Sequence, residues 1–231
     1  MNNLELSVAL ATAPSSAYNE LRERPRFWFP LLLITLSTVA LAYWYYSVVD
    51  IDWLKDLLFG NNPKIQSLPD DQRAASMAMM TRTTLTWSAV IGGMIGLPLV
   101  FLVSALYLLI AAKITKLPFG FKHWYAFSCW SSLPILLGSV VAAIFLLLSD
   151  TPQISPSTLQ PLSINQLLLH RPVGSPGQSL FESLNVPGFL SYALMIIGIR
   201  TWSQRSWLFS AIYILLPTVV VYGVWAFFAF R

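Results

Sequence analysis

The chain has 231 residues, of which 56% are hydrophobic and only 10% charged. A soluble domain carries about 25% charged residues, and a soluble core of this size could not hide several apolar runs of about 20 residues. The net charge of +4 does not point to nucleic acid, because the basic residues sit at segment ends, where lipid headgroups and topology require them, and form no continuous stripe.

The pattern predicts an all-α polytopic membrane bundle with five transmembrane helices. Residues 1–26 read as a cytoplasmic N-terminal amphipathic segment and 27–231 as the membrane domain. The first residues do not read as a secretory signal, since Glu5 sits among the apolar ones and no positive region precedes them. Asn2 stands where myristoylation needs Gly. Pro14 fits the first turn of a short helix, with Thr12 or Ala13 as its cap. Ala17, Tyr18 and Leu21 then share one face. That face suits a helix lying on the membrane surface, and it equally suits a packed helix or a frayed tail.

Arg22, Arg24 and Arg26 precede a first span over about 27–49, with Pro25 and Pro30 where an opening turn tolerates proline. Tyr43, Trp44, Tyr45 and Tyr46 at its far end match a headgroup belt. Residues 50–82 form a long connection. Trp53, Leu54, Leu57 and Leu58 have helical spacing, Gly60-Asn61-Asn62-Pro63 is a stop signal, and Pro69-Asp70-Asp71 starts a second helix. Met77 and Met80 give that helix an apolar stripe suited to packing, and the helix is expected to run straight on into the next span.

The second span covers about 87–112. Gly92-x-x-x-Gly96 allows another helix to approach closely, within this chain or from a partner, and Pro98 should kink the helix. A basic hinge follows, with Lys113, Lys116 and Lys122 and no acid, broken at Leu117-Pro118-Phe119-Gly120. The third span covers about 124–148. Pro134 lies inside it and frees a carbonyl that Ser131 or Ser132 is expected to satisfy. Cys129, the sole cysteine, has no disulfide partner and reads as structural. Residues 149–186 form a polar connection with a short helix at most near Ile164–Leu169 and a re-entry helix near Phe181–Asn185. The fourth span, about 186–200, is short, and the fifth covers about 207–230 with Pro217 inside.

Arg22, Arg24, Arg26, Lys113, Lys116, Lys122, Arg200 and Arg205 crowd one set of short connections. The other basic residues are spread over longer loops that also hold most of the acids. The bias places the N-terminus inside and the C-terminus outside.

Three passages together resemble the Yip domain family, the Ypt-interacting membrane proteins. They are Pro14-x-x-x-Tyr18-x-x-Leu21-x-x-x-Pro25, the aromatic entry to Ser131-Ser132-Leu133-Pro134, and Leu184-Asn185 ahead of a short span ending Ile197-Gly198-Ile199. The resemblance implies five membrane helices with a cytoplasmic N-terminus. It is closest to bacterial-type members of the cell inner membrane, some of which accompany transport systems. Eukaryotic relatives act in vesicle traffic and bind prenylated Rab-type GTPases; the short tail here lacks the long cytoplasmic extension many of them have.

The expected function is that of a scaffold or accessory subunit, not an enzyme. The spans hold no charged residue or histidine away from their ends, and a bilayer active site needs a nucleophile with a base, or a metal ligand set. Ser128, Ser131 and Ser132 have only His123 nearby in sequence, at the membrane edge. No cofactor or metal site is expected, since phosphate-loop, CxxC and HExxH patterns are all missing. The expected partners are membrane lipids and another integral membrane protein, with components of an ABC-type transporter as one class and a homo-oligomer as another. Candidate partner-binding residues are Trp53, Leu57, Phe59, Met77, Met80, Gly92 and Gly96. The rival reading is a small-molecule transporter or channel using helices broken at Pro98, Pro134 and Pro217.

Overall fold

The computed structural model describes residues 1–60 and 66–231. The regular structure among these residues is helical, without a strand; Ser163 and Asn185 form one isolated antiparallel bridge. The helices are α1 (Asn3–Thr12), α2 (Pro14–Glu23), α3 (Trp28–Val48), α4 (Ile51–Gly60), α5 (Asp70–Met79), α6 (Arg82–Thr115), α7 (Phe121–Ser131), α8 (Ile135–Leu147), α9 (Gln178–Ser183), α10 (Val186–Ser203) and α11 (Trp207–Ala229). The stop signal read after Gly60 falls on Asn61-Asn62-Pro63, outside the described residues.

Among the described residues, four helical segments are long and apolar enough to cross a membrane: Trp28–Val48, Arg82–Thr115, Phe121–Leu147 and Trp207–Ala229. The short α10, expected as a span, is not among them. Pro187 and Arg200 within it lower its hydropathy.

The chain divides into two compact units. The first comprises residues 1–36, 95–136 and 187–223. Its core joins Leu6, Leu10, Ala17, Tyr18 and Leu21 to Leu108, Trp124, Phe127, Trp130, Ile199 and Trp202. The N-terminal helices therefore pack into protein, and of the readings open for α2 the packed helix is the one observed. Pro14 stands in its first turn behind Ala13, which gives no side-chain cap. The preceding helix α1 was not expected. Its N-terminus is closed by a reciprocal capping box, in which Asn2 Oδ1 accepts from Glu5 N–H at 2.8 Å and Glu5 accepts from Asn2 N–H at 2.9 Å.

The second unit comprises residues 37–94, 137–186 and 224–231. Tyr45, Val49, Leu54, Leu146 and Ile154 form its core. Tyr45 was expected in a headgroup belt. It is instead fully buried, with its hydroxyl donating to the Ile154 carbonyl at 2.8 Å, while Tyr43 remains exposed. Helix α4 begins where Asp50 Oδ1 accepts from the N–H groups of Asp52 and Trp53; it lays Leu54 into this core, and its Phe59 is buried too. Helix α5 stops at Met80 and α6 starts at Arg82, so the Met-rich helix does not run on into the span. The loop before α10 is pinned by Ile164 N–H on Leu184 O at 2.7 Å and Val186 N–H on Leu162 O at 3.0 Å. Ser157 donates to Glu182 at 2.5 Å in the same loop.

Candidate functional site

Residues from separate family-like passages meet in the first unit around Tyr18. Its side chain is fully buried on α2. The Tyr18 and Ser131 hydroxyls share a hydrogen bond of 2.6 Å, and the Trp202 indole N–H donates to the Tyr18 carbonyl at 2.8 Å. The Tyr18 ring lies 5.1 Å from Phe127 and edge-on to Trp202 at 6.5 Å. Phe127 also meets Trp202 at 5.1 Å and Trp124 at 5.7 Å. Burial pushes the Tyr18 phenol well above its ordinary range, and the Ser131 bond offsets part of that. It therefore stays protonated at neutral pH, so both hydroxyls remain able to donate.

Gly198 explains how α10 comes so close. A Cβ there would stand 2.4 Å from Phe127 Cε2 and 2.8 Å from Tyr18 Cε1, so only glycine lets the two rings rest against this helix. The other half of that passage, Leu184-Asn185, lies in the second unit as part of the loop ahead of α10.

The Ser131–Pro134 passage is a helix break. The two halves of the expected third span, α7 and α8, are separated by Ser132-Leu133-Pro134. Pro134 cannot donate to the Trp130 carbonyl. That carbonyl is taken by the Leu133 N–H at 3.2 Å, so a backbone turn does what a serine hydroxyl was expected to do. The Ser132 N–H turns to Cys129 O, and its hydroxyl takes the Ser128 carbonyl at 2.9 Å. Ser128 donates to Ser104 at 3.2 Å. Leu133 is half-buried between two apolar clusters. Near Pro25, the Trp130 indole N–H donates to the Arg26 carbonyl at 2.6 Å. All three hydroxyls weighed as nucleophiles thus serve packing. His123 instead faces the rings of Phe119 and Trp202, at 5.7 and 6.3 Å.

A family model of the Yip1 domain matches residues 8–228. The chain belongs to the Yip1 domain family. No curated protein and no solved structure matches it. In this Yip1 domain Tyr18 and Leu21 of the first resembling passage, Ser131 of the second and Gly198 of the third meet around one buried cluster.

The other expected site residues lie elsewhere. Trp53 and Leu57 are half-buried against the core of the second unit, and Phe59 is only 8% exposed, which removes it from the surface. Met77 and Met80 are half-buried, while Met79, not singled out in the sequence, is 73% exposed. Gly92 and Gly96 face open space, and the intrachain close approach belongs to Gly93, whose Cβ would stand 2.9 Å from Val39 Cγ2. Of the two approaches left open for this glycine face, the one within the chain uses Gly93, and Gly92 and Gly96 stay open to a partner. Sequence reasoning also missed Phe127 and Trp202 as the rings that clamp Tyr18. Trp202 falls one helical turn after Gly198, a spacing that places both on one face and could have been read.

Proposed function

We propose that this Yip1 domain protein is an integral membrane scaffold or accessory subunit that binds another membrane protein and carries out no chemistry itself. The observation that carries this reading is how the polar groups inside the first unit are used. Tyr18, Ser128, Ser131 and Ser132 are spent on each other, on Ser104 and on backbone carbonyls, leaving no nucleophile beside a base. The outer faces of the spans are apolar and largely open. Such faces suit lipid and the helices of a partner.

The proposed arrangement has five crossings with the N-terminus and the Lys113–Lys122 hinge inside, in a bacterial cytoplasmic membrane. Helix α10 has 18 residues, about 27 Å at helical rise, near the roughly 30 Å of a hydrocarbon core. The partner surface is proposed to include Trp53, Leu57 and the Met77–Met80 end of α5 from the long connection, and the open Gly92 and Gly96 of α6. A transport component and trafficking machinery are the two partner classes the family suggests.

The broken third span favours a second reading, transport by this chain alone, because carriers build sites at interrupted helices. Against it, the Ser132–Pro134 break is filled by protein: Ser131, Ser132 and Cys129 are all buried there.

Two measurements test the proposal. Single cysteines placed in residues 66–80 and 149–177, in a Cys129→Ser background, should react with an impermeant reagent in intact cells, and cysteines at 114–121 should not. Labelling of the hinge from outside would reverse the orientation. Affinity purification in mild detergent should return one membrane protein in fixed stoichiometry, weakened by substitution at Met79 or Trp53. A chain that purifies alone under every mild condition would refute the scaffold role.

A further inference from the structure

The last turn of α3 and the first turn of α6 enclose a cleft of about 260 Å³ in the second unit, lined by Tyr43, Ser47, Arg82, Thr83, Thr86 and Trp87. The lining follows from helical spacing. Tyr43 and Ser47 are one turn apart on α3, while Arg82 with Thr86, and Thr83 with Trp87, make two adjacent ridges on α6.

Arg82 gives the cleft its sign. Its guanidinium donates to the carbonyls of Tyr46 and Val49 at the C-terminal end of α3, the latter at 2.8 Å. Those bonds fix the cation in place and use only part of its five N–H donors. No carboxylate neutralises it: Arg82 enters no ion pair among the described residues, and no acid lines the cleft. The start of α6 adds positive potential that offsets the negative end of α3, whose carbonyls Arg82 caps. Thr83 and Thr86 supply hydroxyl donors, and the Ser47 hydroxyl, already donating to Trp44 O at 2.6 Å, can still accept. A fixed guanidinium amid hydroxyls is a phosphate-binding chemistry.

The surroundings say which phosphate. Tyr43 and Trp87 are 58% and 59% exposed at the mouth, and such amphipathic rings sit at headgroup level. Beyond Trp87, Ile91 and Met94 continue the same exposed stripe of α6. A free phosphate has no use for that track, whereas an acyl chain fits along it. A choline or ethanolamine group would meet the Arg82 cation with no carboxylate to receive it. A glycerol headgroup would meet hydroxyls.

We propose that this cleft is a binding site for an anionic phospholipid of the phosphatidylglycerol type, its phosphate on Arg82, Thr83 and Thr86 and one acyl chain along Trp87, Ile91 and Met94. The site is independent of which protein partner the chain binds.

The test is native mass spectrometry of the full chain in detergent, titrated with phosphatidylglycerol or phosphatidylcholine. Phosphatidylglycerol should bind about tenfold tighter or more. Thr83→Val with Thr86→Val keeps the Arg82 bonds to α3 and should weaken phosphatidylglycerol binding severalfold, because the phosphate loses two hydroxyl donors. Arg82→Gln should equalise the two lipids. Millimolar inorganic phosphate should leave the bound lipid in place. Equal retention of the two lipids by the unaltered chain overturns the proposal without reference to any variant. An undiminished phosphatidylglycerol affinity in the double threonine variant, or displacement of the lipid by inorganic phosphate, overturns it as well.

Discussion

Replacing Gly198 by alanine adds one methyl group where the fold has no room for it. The new Cβ would stand 2.4 Å and 2.8 Å from two carbons of Phe127 and 2.8 Å from Tyr18 Cε1, against about 3.5–4.0 Å for a comfortable carbon pair. A ring must therefore move by about 1 Å. Phe127 cannot do so freely, being fully buried between Tyr18, Trp124 and Trp202. Overpacking of this kind costs about 1–3 kcal/mol, and three tight contacts put it near the upper end. Alanine recovers roughly 0.5–1 kcal/mol through helix propensity. The net expectation is a loss of about 2 kcal/mol, or roughly 4–8 °C in midpoint for a chain of this size. Gly92→Ala is the control, because nothing lies within 4 Å of its Cβ; it should gain the propensity term alone. Gly93→Ala, opposed only by one methyl of Val39, should fall between them. Thermal unfolding in a defined detergent, followed by tryptophan fluorescence, ranks the three. A Gly198→Ala protein as stable as Gly92→Ala would refute the packing of α10 against the Tyr18 and Phe127 rings.

Tyr18→Phe leaves the Ser131 hydroxyl buried without its partner and should cost about 1–3 kcal/mol by the same assay. The phenol's ordinary value is 10.0 and burial raises it in the folded chain. The unfolded chain therefore loses that proton first, so the contribution is intact below pH 10 and stability falls as pH climbs past it; the variant should show a shallower fall. Cys129 is fully buried in a cluster with Leu31, Ile34 and Phe101, so it should resist thiol reagents until the chain unfolds, and Cys129→Ala should assemble normally; rapid labelling of the native protein would count against this. Phe59→Ala should cost about 3 kcal/mol and loosen α4, read as faster hydrogen exchange over residues 51–60, whereas a surface anchor would leave exchange unchanged.

The long apolar segments were legible because crossing length and hydropathy are local properties. Pro14 at the start of α2 was legible for a similar reason, since an opening turn needs no donor there; the break at Pro134 was not, because Pro98 and Pro217 lack the same donor and lie inside continuous helices. What the residues do with their side chains was not. Tyr18 and Ser131 are 113 positions apart and Tyr18 and Trp202 are 184 apart, so nothing in either neighbourhood announces the contact. The family resemblance marked Tyr18, Ser131 and Gly198 without saying that they touch. Helix α1 was missed although Asn2 and Glu5 have capping-box spacing, because Leu4 and Val8 are exposed while Leu6 and Leu10 are buried, and apolar residues on both sides blur the helical period. The aromatic cluster at residues 43–46 read as a belt from composition, and only packing separates the buried Tyr45 from the exposed Tyr43. At Gly92-Gly93, three glycines within five residues offered two registers, and the chain uses the one that GxxxG counting passes over.

The scaffold reading stands or falls most directly on what the chain does alone. The purified protein, reconstituted into sealed liposomes without any partner, should pass ions and small solutes no faster than empty vesicles do, while the same preparation retains the ability to recapture its membrane partner in fixed stoichiometry. Saturable, substrate-dependent flux through vesicles holding only this chain would contradict the account and make it a transporter.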